Sequence, residues 1–157
     1  MVNRVLDLIF GAVEFLLSIA LLLIFAEVVI EVSARYIFLA PIPWGAEFSK
    51  TLLVWLTFLG SAAAMRRGEH MVVSLVVEAI PSPKLKKAVE ILADAVMLLF
   101  LLIGIWAGWQ VVMRTWALRT TALQIPAGIL YLAFPVGCVL MIAGFRPFPF
   151  LKDRETQ

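Results

Sequence analysis

Residues 8–26 read LIFGAVEFLLSIALLLIFA, a continuous apolar run whose one charged residue is Glu14. A run of about 20 apolar residues forms a helix long enough to cross the roughly 30 Å hydrocarbon layer of a bilayer. Three further uncharged cores follow it, at residues 51–65, 95–113 and 120–145. The composition agrees, because 63% of the 157 residues are hydrophobic, 15% are charged and the mean hydropathy is +1.02. The sequence therefore predicts an all-α integral membrane protein with four transmembrane helices and no separate soluble domain.

The flanking residues set the expected helix limits within a single membrane domain over residues 1–157. Pro41 and Pro43 end the first helix, and Pro83 suits the first position of the third. The first and third helices are longer than a perpendicular span requires, so we expect both to tilt. Residues 70–80 are amphipathic but too short to span, which predicts a short helix in the membrane interface, and residues 44–50 have the same character. The expected transmembrane helices cover roughly residues 4–36, 44–66, 83–116 and 124–145.

The basic residues divide unequally between the two ends of the predicted helices. Arg4, Arg66, Arg67, Lys84, Lys86, Lys87, Arg146, Lys152 and Arg154 fall at one end, and Arg35, Lys50, Arg114 and Arg119 fall at the other. Cytoplasmic loops of membrane proteins carry the excess of Lys and Arg. Nine against four predicts a multi-pass protein of the cytoplasmic (inner) membrane with both termini in the cytoplasm.

Several kinds of chemistry lack the residues that they need. Cys138 is the only cysteine, which excludes an internal disulfide and a multi-thiolate metal site. His70 is the only histidine, which excludes paired-histidine haem ligation and a histidine-based zinc site. The sequence has no phosphate-binding glycine loop and no nucleophile–base pair. We therefore expect no enzyme activity, no cofactor and no metal. The net charge of +2 gives no reason to expect a nucleic-acid partner, because Lys and Arg orient a membrane chain.

The first predicted helix carries two sets of polar residues on nearly opposite sides. The sets are Asp7, Gly11, Glu14 and Ser18 at one end and Glu27, Glu31 and Arg35 at the other. One packing partner would not easily contact both sets of polar residues. An acid at a helix centre costs about 2.5–3.5 kcal/mol on insertion scales. Glu14, the deepest acid, and Asp94, the next, are therefore either proton or cation sites or groups neutralised by protonation or by a basic partner.

Two ordered sets of short motifs extend the interpretation. The first is Arg35-Tyr36, Pro43-Trp44, Glu47, Trp55, Phe58-Leu59-Gly60, Ala63, Arg66 and Gly68-Glu69-His70. The second is Thr120, Ala122-Leu123, Ile125-Pro126, Tyr131 and Pro135-Val136-Gly137. In this order they resemble the small membrane subunit (DctQ-like) of tripartite ATP-independent periplasmic (TRAP) transporters, over nearly the whole chain. Ser74 departs from the pattern, because many members of that family place an Asp near this position.

The resemblance implies four membrane helices with cytoplasmic termini and two protein partners. One is a large multi-helix membrane subunit that carries substrate and sodium, and the other is a periplasmic solute-binding protein that delivers the substrate, typically an organic acid. We expect this chain to brace the large subunit as a scaffold in the bilayer and to help dock the binding protein. Candidates for the subunit interface are Asp7, Glu14, Ser18, Glu47, Trp55, Gly60, Arg66, His70 and Asp94. Candidates for binding-protein docking are Arg35, Trp44, Lys50, Arg114 and Arg119.

Two other functions fit parts of the sequence. A small homodimeric proton-coupled multidrug exporter would use a membrane-embedded acid on its first helix, and Glu14 would fit that role. The long connection over residues 66–82 and the additional acids argue against it. The other function is a purely structural membrane anchor for another complex, which would need nearly the same physical properties as the scaffold.

The predicted topology can be tested by thiol labelling in a Cys138→Ser background. Asn3→Cys, Ser82→Cys and Thr156→Cys should resist a membrane-impermeant thiol reagent in intact spheroplasts, because these positions face the cytoplasm. Ala40→Cys should react, because it lies in the link on the opposite side. Labelling at position 82 but not at position 40 would show that the topology is the reverse of the predicted one.

Overall fold

The computed structural model describes residues 2–67 and 83–145, which form four α-helices. The helices are α1 (Val2–Tyr36), α2 (Gly45–Arg66), α3 (Pro83–Thr115) and α4 (Gly128–Gly144). The first three begin and end within two residues of the expected limits. The expected interfacial helix at 70–80, together with His70, lies outside the described residues.

Three of these helices are long and apolar enough to cross a membrane. The qualifying segments are Leu6–Tyr36, Gly45–Arg66 and Ile91–Thr115. The 35 residues of α1 extend about 52 Å, so α1 has to tilt or project beyond a 30 Å hydrocarbon layer. The 17 residues of α4 extend only about 25 Å. Because α4 packs against both α2 and α3, it is shielded on two sides despite its short length.

The main helix contacts arrange the bundle in the order α1, α2, α4, α3. One buried cluster, Phe10 with Ala62 and Ala63, joins α1 to α2 and is covered by Leu140 and Met141 of α4. A second cluster, Met65 with Leu101 and Cys138, joins α2, α3 and α4. Outside these contacts the helices present apolar side chains outward, as a lipid-facing bundle should.

Glycine residues lie where helices of the bundle approach one another closely. A Cβ built on Gly137 of α4 would lie 2.7 Å from Phe58 Cβ and 3.2 Å from the Phe58 carbonyl oxygen of α2. On α3, Gly104 and Gly108 receive the Phe134 ring, with nearest distances of 3.1 and 2.9 Å from a built Cβ. Small residues thus let the helix backbones approach, as expected where lipid supplies no hydrophobic drive.

The expected start of the fourth helix at residue 124 is wrong, because residues 118–127 form a tight hairpin. The Thr120 N–H donates to the Ile125 carbonyl at 2.9 Å, and the Ala127 N–H donates to the Leu118 carbonyl at 2.8 Å. Gln124 adopts a left-handed backbone with φ of 55°. Ile125 precedes Pro126, and a residue before a proline is disfavoured in the helical region. Helix α4 therefore starts only at Gly128.

The close contact at Gly137 predicts that a single methyl group destabilises the bundle. Gly137→Ala should lower the free energy of unfolding in detergent by about 1–3 kcal/mol, because neither Phe58 Cβ nor the α2 backbone can move away freely. Gly11→Ala is the matched control, because a Cβ on Gly11 meets nothing within 4 Å. That control should be neutral or slightly stabilising, since alanine favours helix over glycine. Equal stability of both variants in thermal unfolding would show that the approach of α4 to α2 is not tight.

Candidate functional site

Polar contacts concentrate at the two ends of α2. The Glu47 end contains the start of α2, the end of α1 and the loop between α3 and α4. The Arg66 end contains the end of α2 and the start of α1. Because α1 and α2 run antiparallel, each end of α2 meets a different part of α1.

Glu47 fastens the start of α2 to the loop between α3 and α4. Its Oε1 accepts a hydrogen bond from the Ala122 N–H at 3.0 Å, and its Oε2 accepts one from the Leu123 N–H at 2.9 Å. Hydrogen bonds to an ionised carboxylate are roughly twice as strong as neutral ones. We call these three residues the Glu47 clamp. The clamp holds a loop whose backbone would otherwise lack partners at these two amides.

Trp55 makes a second link from α2, two helical turns beyond Glu47. Its indole Nε1 donates to the Ile129 carbonyl in the first turn of α4 at 3.2 Å. The bond gives a hydrogen-bond partner to an indole N–H whose side chain is only partly exposed. Glu47 and Trp55, both expected at an interface with another subunit, thus make their polar contacts inside this chain.

Two arginines at the Arg66 end neutralise the acids near the start of α1. Arg66 contacts Asp7 at 2.7 Å and lies over the Phe10 ring, 5.8 Å from its centroid. Arg67 contacts both oxygens of Glu14, through Nε at 2.9 Å and an amino nitrogen at 2.7 Å. The planar guanidinium suits this two-point contact. The deepest acid of the sequence is therefore held in an ion pair.

Both polar sets of α1 contact the same partner, which corrects the expectation that one helix would not serve both. Asp7 and Glu14 contact Arg66 and Arg67 at the end of α2. The buried Glu27 accepts a hydrogen bond from Ser49 Oγ near the start of α2. The reason is that the side of α1 that packs against α2, which we call the seam and which includes Phe10, lies between the two polar sets. Each set then flanks the seam and reaches α2 from a different side.

Four residues at these contacts were not among the expected site residues. They are Arg67, Glu27, Ser49 and Gly45, where a Cβ would collide with Glu27 Oε1. Arg67 could have been found from the Arg66-Arg67 pair that follows the predicted span and faces an acidic set on the first helix. Glu27 was visible as an acid inside an apolar run, but nothing in the sequence indicated Ser49 or Gly45 as its neighbours.

The expected docking residues all lie at the Glu47 end. Arg35 ends α1 and pairs with Glu31 at 2.5 Å, and Trp44 packs edge-on against Phe48 with ring centroids 6.3 Å apart. Arg119 donates to the Gln124 carbonyl at 3.1 Å, within the hairpin. The side chains of Lys50 on α2 and Arg114 at the end of α3 are exposed. This end therefore presents basic side chains from α1, α2 and α3 around the loop that the Glu47 clamp holds, and Arg119 lies on that loop.

The remaining candidates are dispersed. Ser18 donates to the Glu14 carbonyl of its own helix at 3.0 Å. Ser18, Gly60 and the Glu14–Arg67 pair line a groove of about 280 Å³ between α1 and α2. Asp94 is half-buried on α3, which is not a main contact partner of α1. Within residues 2–67 and 83–145, no three His, Cys, Asp or Glu side chains converge on one point.

Comparison with known proteins gives the family. The family model of the DctQ component of tripartite ATP-independent periplasmic transporters matches residues 24–145. A putative TRAP transporter small permease protein of Haemophilus influenzae is 29% identical over 145 residues, which cover 90% of this chain and 83% of that protein.

Two further relatives carry more specific names. The C4-dicarboxylate TRAP transporter small permease protein DctQ of Vibrio cholerae is 29% identical over 126 residues, covering 77% of this chain and 52% of that protein. The sialic acid TRAP transporter permease protein SiaT of Haemophilus influenzae is 27% identical over 130 residues, covering 78% of this chain and 20% of that protein. The family match spans most of the chain and includes both sides of the Glu47 clamp. The chain therefore belongs to the DctQ family of TRAP transporter small permease subunits, which are membrane transport components and not enzymes.

Proposed function

We propose that this chain pairs with the large membrane subunit of a TRAP transporter as a fixed scaffold and helps dock the periplasmic solute-binding protein for sodium-driven uptake of an organic acid. The observation that carries the proposal is the Glu47 clamp, which ties the start of α2 to the α3–α4 loop. A moving transport domain needs a neighbouring subunit that stays fixed in the membrane. A docking surface needs a loop with a defined conformation.

The surface of the bundle supports the scaffold role. Helices α1 and α3 occupy the two outer positions of the bundle, and each exposes large apolar side chains, such as Phe25 at 69% and Trp106 at 67%. Such faces suit both lipid and the helices of a larger membrane partner. Overlong helices add to the area that a scaffold can brace.

We propose that both termini lie in the cytoplasm, so that the Glu47 end faces the periplasm. The nine-to-four division of basic residues supports this orientation. The binding protein would then meet the basic side chains around the clamped loop. The usual orientation signal disfavours basic residues on the outer side. Topology therefore does not explain the basic residues at the Glu47 end, whereas docking of the binding protein does.

The names of two relatives support the proposed substrate class. One is named for sialic acid and another for C4-dicarboxylates, and both are organic acids. We propose an organic acid for this system, with the substrate and sodium carried in the large subunit. The exporter alternative requires Glu14 to exchange protons for a drug cation, whereas Arg67 contacts both of its oxygens.

The clamp predicts a local effect of Glu47→Ala. Loss of two charge-assisted hydrogen bonds, each contributing about 1.5–3 kcal/mol, should increase amide hydrogen exchange at Ala122 and Leu123 by at least about tenfold. Thr57→Ala is the control on the same helix, because the Thr57 hydroxyl bonds only the Leu53 carbonyl of α2. If exchange at both amides stays unchanged in Glu47→Ala, the clamp does not hold the loop.

The docking proposal is tested in proteoliposomes that contain this chain, the large subunit and added binding protein. Lys50→Glu with Arg114→Glu should raise the half-saturating binding-protein concentration by about tenfold at low salt and less at high salt, with an unchanged maximal rate. Arg119 is left intact because it also supports the hairpin backbone.

Lys86→Glu at the opposite end of the bundle is the matched charge control and should leave the curve unchanged. Copurification of the large subunit with each variant has to be verified first. An unchanged half-saturating concentration across salt concentrations would remove this surface from the docking site and leave the scaffold role alone.

A further inference from the structure

Glu27 is the one buried charged side chain among the described residues, at 8% exposure. Its Oε2 accepts a hydrogen bond from Ser49 Oγ of α2. Its Oε1 is fully buried and has no hydrogen-bond partner within the described part of the chain. Burying a carboxylate oxygen without a hydrogen-bond partner carries a large desolvation cost. The groups around Glu27 Oε1 therefore have to offset that cost.

A second carboxylate lies at the same place. Any Cβ on Gly45 would collide with Glu27 Oε1, and the same Cβ would lie 3.4 Å from Glu31 Oε2. Glu27 and Glu31 therefore converge beside Gly45, where any residue larger than glycine would clash with the Glu27 carboxylate. Together with Ser49 Oγ they present oxygen atoms from both α1 and α2, which are the donors that hard cations prefer.

The charges at this place do not balance within the chain. Arg35 contacts Glu31 Oε1 at 2.5 Å and so offsets one of the two negative charges. The N-terminal turn of α2 supplies only about half a positive charge. One carboxylate remains insufficiently compensated in a site with little access to water, and a single monovalent cation would complete the balance.

We propose that Glu27, Glu31 and Ser49 bind one sodium ion beside Gly45, which links α1 to α2 at the Glu47 end. A cation can contact oxygen atoms of all three side chains at once, whereas a proton bridges only two oxygen atoms. This sodium ion is distinct from the transported sodium that the proposed function assigns to the large subunit. The site depends only on residues of this chain.

The test uses the purified full-length chain in detergent, without the large subunit. Thermal unfolding is followed while sodium chloride replaces choline chloride at constant ionic strength and pH. Sodium should raise the Tm by about 3–6 °C at ten times the dissociation constant, and further in proportion to the logarithm of its concentration. Equilibrium binding of radioactive sodium should give one ion per chain.

The variants distinguish this site from a general salt effect. Glu27→Gln keeps the side-chain size and should abolish both the Tm rise and sodium binding, and Ser49→Ala should weaken sodium binding about tenfold or more. Glu14→Gln is the control, because Glu14 lies at the opposite end and is paired with Arg67. Its sodium response should equal that of the wild type.

Three results would overturn the proposal. One is the same Tm in sodium and choline, and another is a sodium response that persists in Ser49→Ala and Glu27→Gln. The third is a Tm that depends on pH but not on sodium, which would identify a proton as the occupant. If Glu27→Gln does not fold, sodium binding to the wild type and to Ser49→Ala decides the question.

Discussion

Hydrocarbon offers no hydrogen-bond partner, so each polar side chain on a membrane helix has to be satisfied by another part of the protein, by an ion or by a neighbouring molecule. This constraint accounts for the contacts of α2. Its last residue, Arg66, and the following Arg67 neutralise Asp7 and Glu14, and its first turns receive Glu27 and hold the α3–α4 loop through Glu47. The acids on α1 thereby specify which helix packs beside it.

The same contacts give α2 a central mechanical position. It is joined to α1 at both ends by polar contacts and to α4 through the Trp55 indole and the close approach of Gly137. Polar bonds at the ends and small residues in the middle are complementary, because the first resist sliding and the second allow close packing. A subunit braced in this way suits the role of a fixed partner for a moving transport domain.

Basic side chains and the clamped loop occupy the same end of the bundle. The hairpin over residues 118–127 is closed by its own backbone bonds, and Glu47 adds two bonds from a different helix. A loop defined from two directions pays less conformational entropy when a partner binds it. The proposed docking surface therefore combines charge for steering with a loop that is already ordered.

Apolar run length and proline position act locally, so they are enough to predict the membrane setting, the all-helical class and the limits of α1, α2 and α3. Motif order also indicated Glu47, Trp55 and Arg66 as functional candidates. The partners of these polar residues depend on tertiary packing, since Glu14 contacts Arg67 and Glu47 contacts Ala122 across long stretches of chain. Tertiary packing likewise decides that α4 begins at Gly128, because Glu47 and the hairpin bonds hold a segment that is apolar enough to continue the helix. Helical periodicity separates the two polar sets of α1, but it carries no information about which neighbour lies along the seam between them.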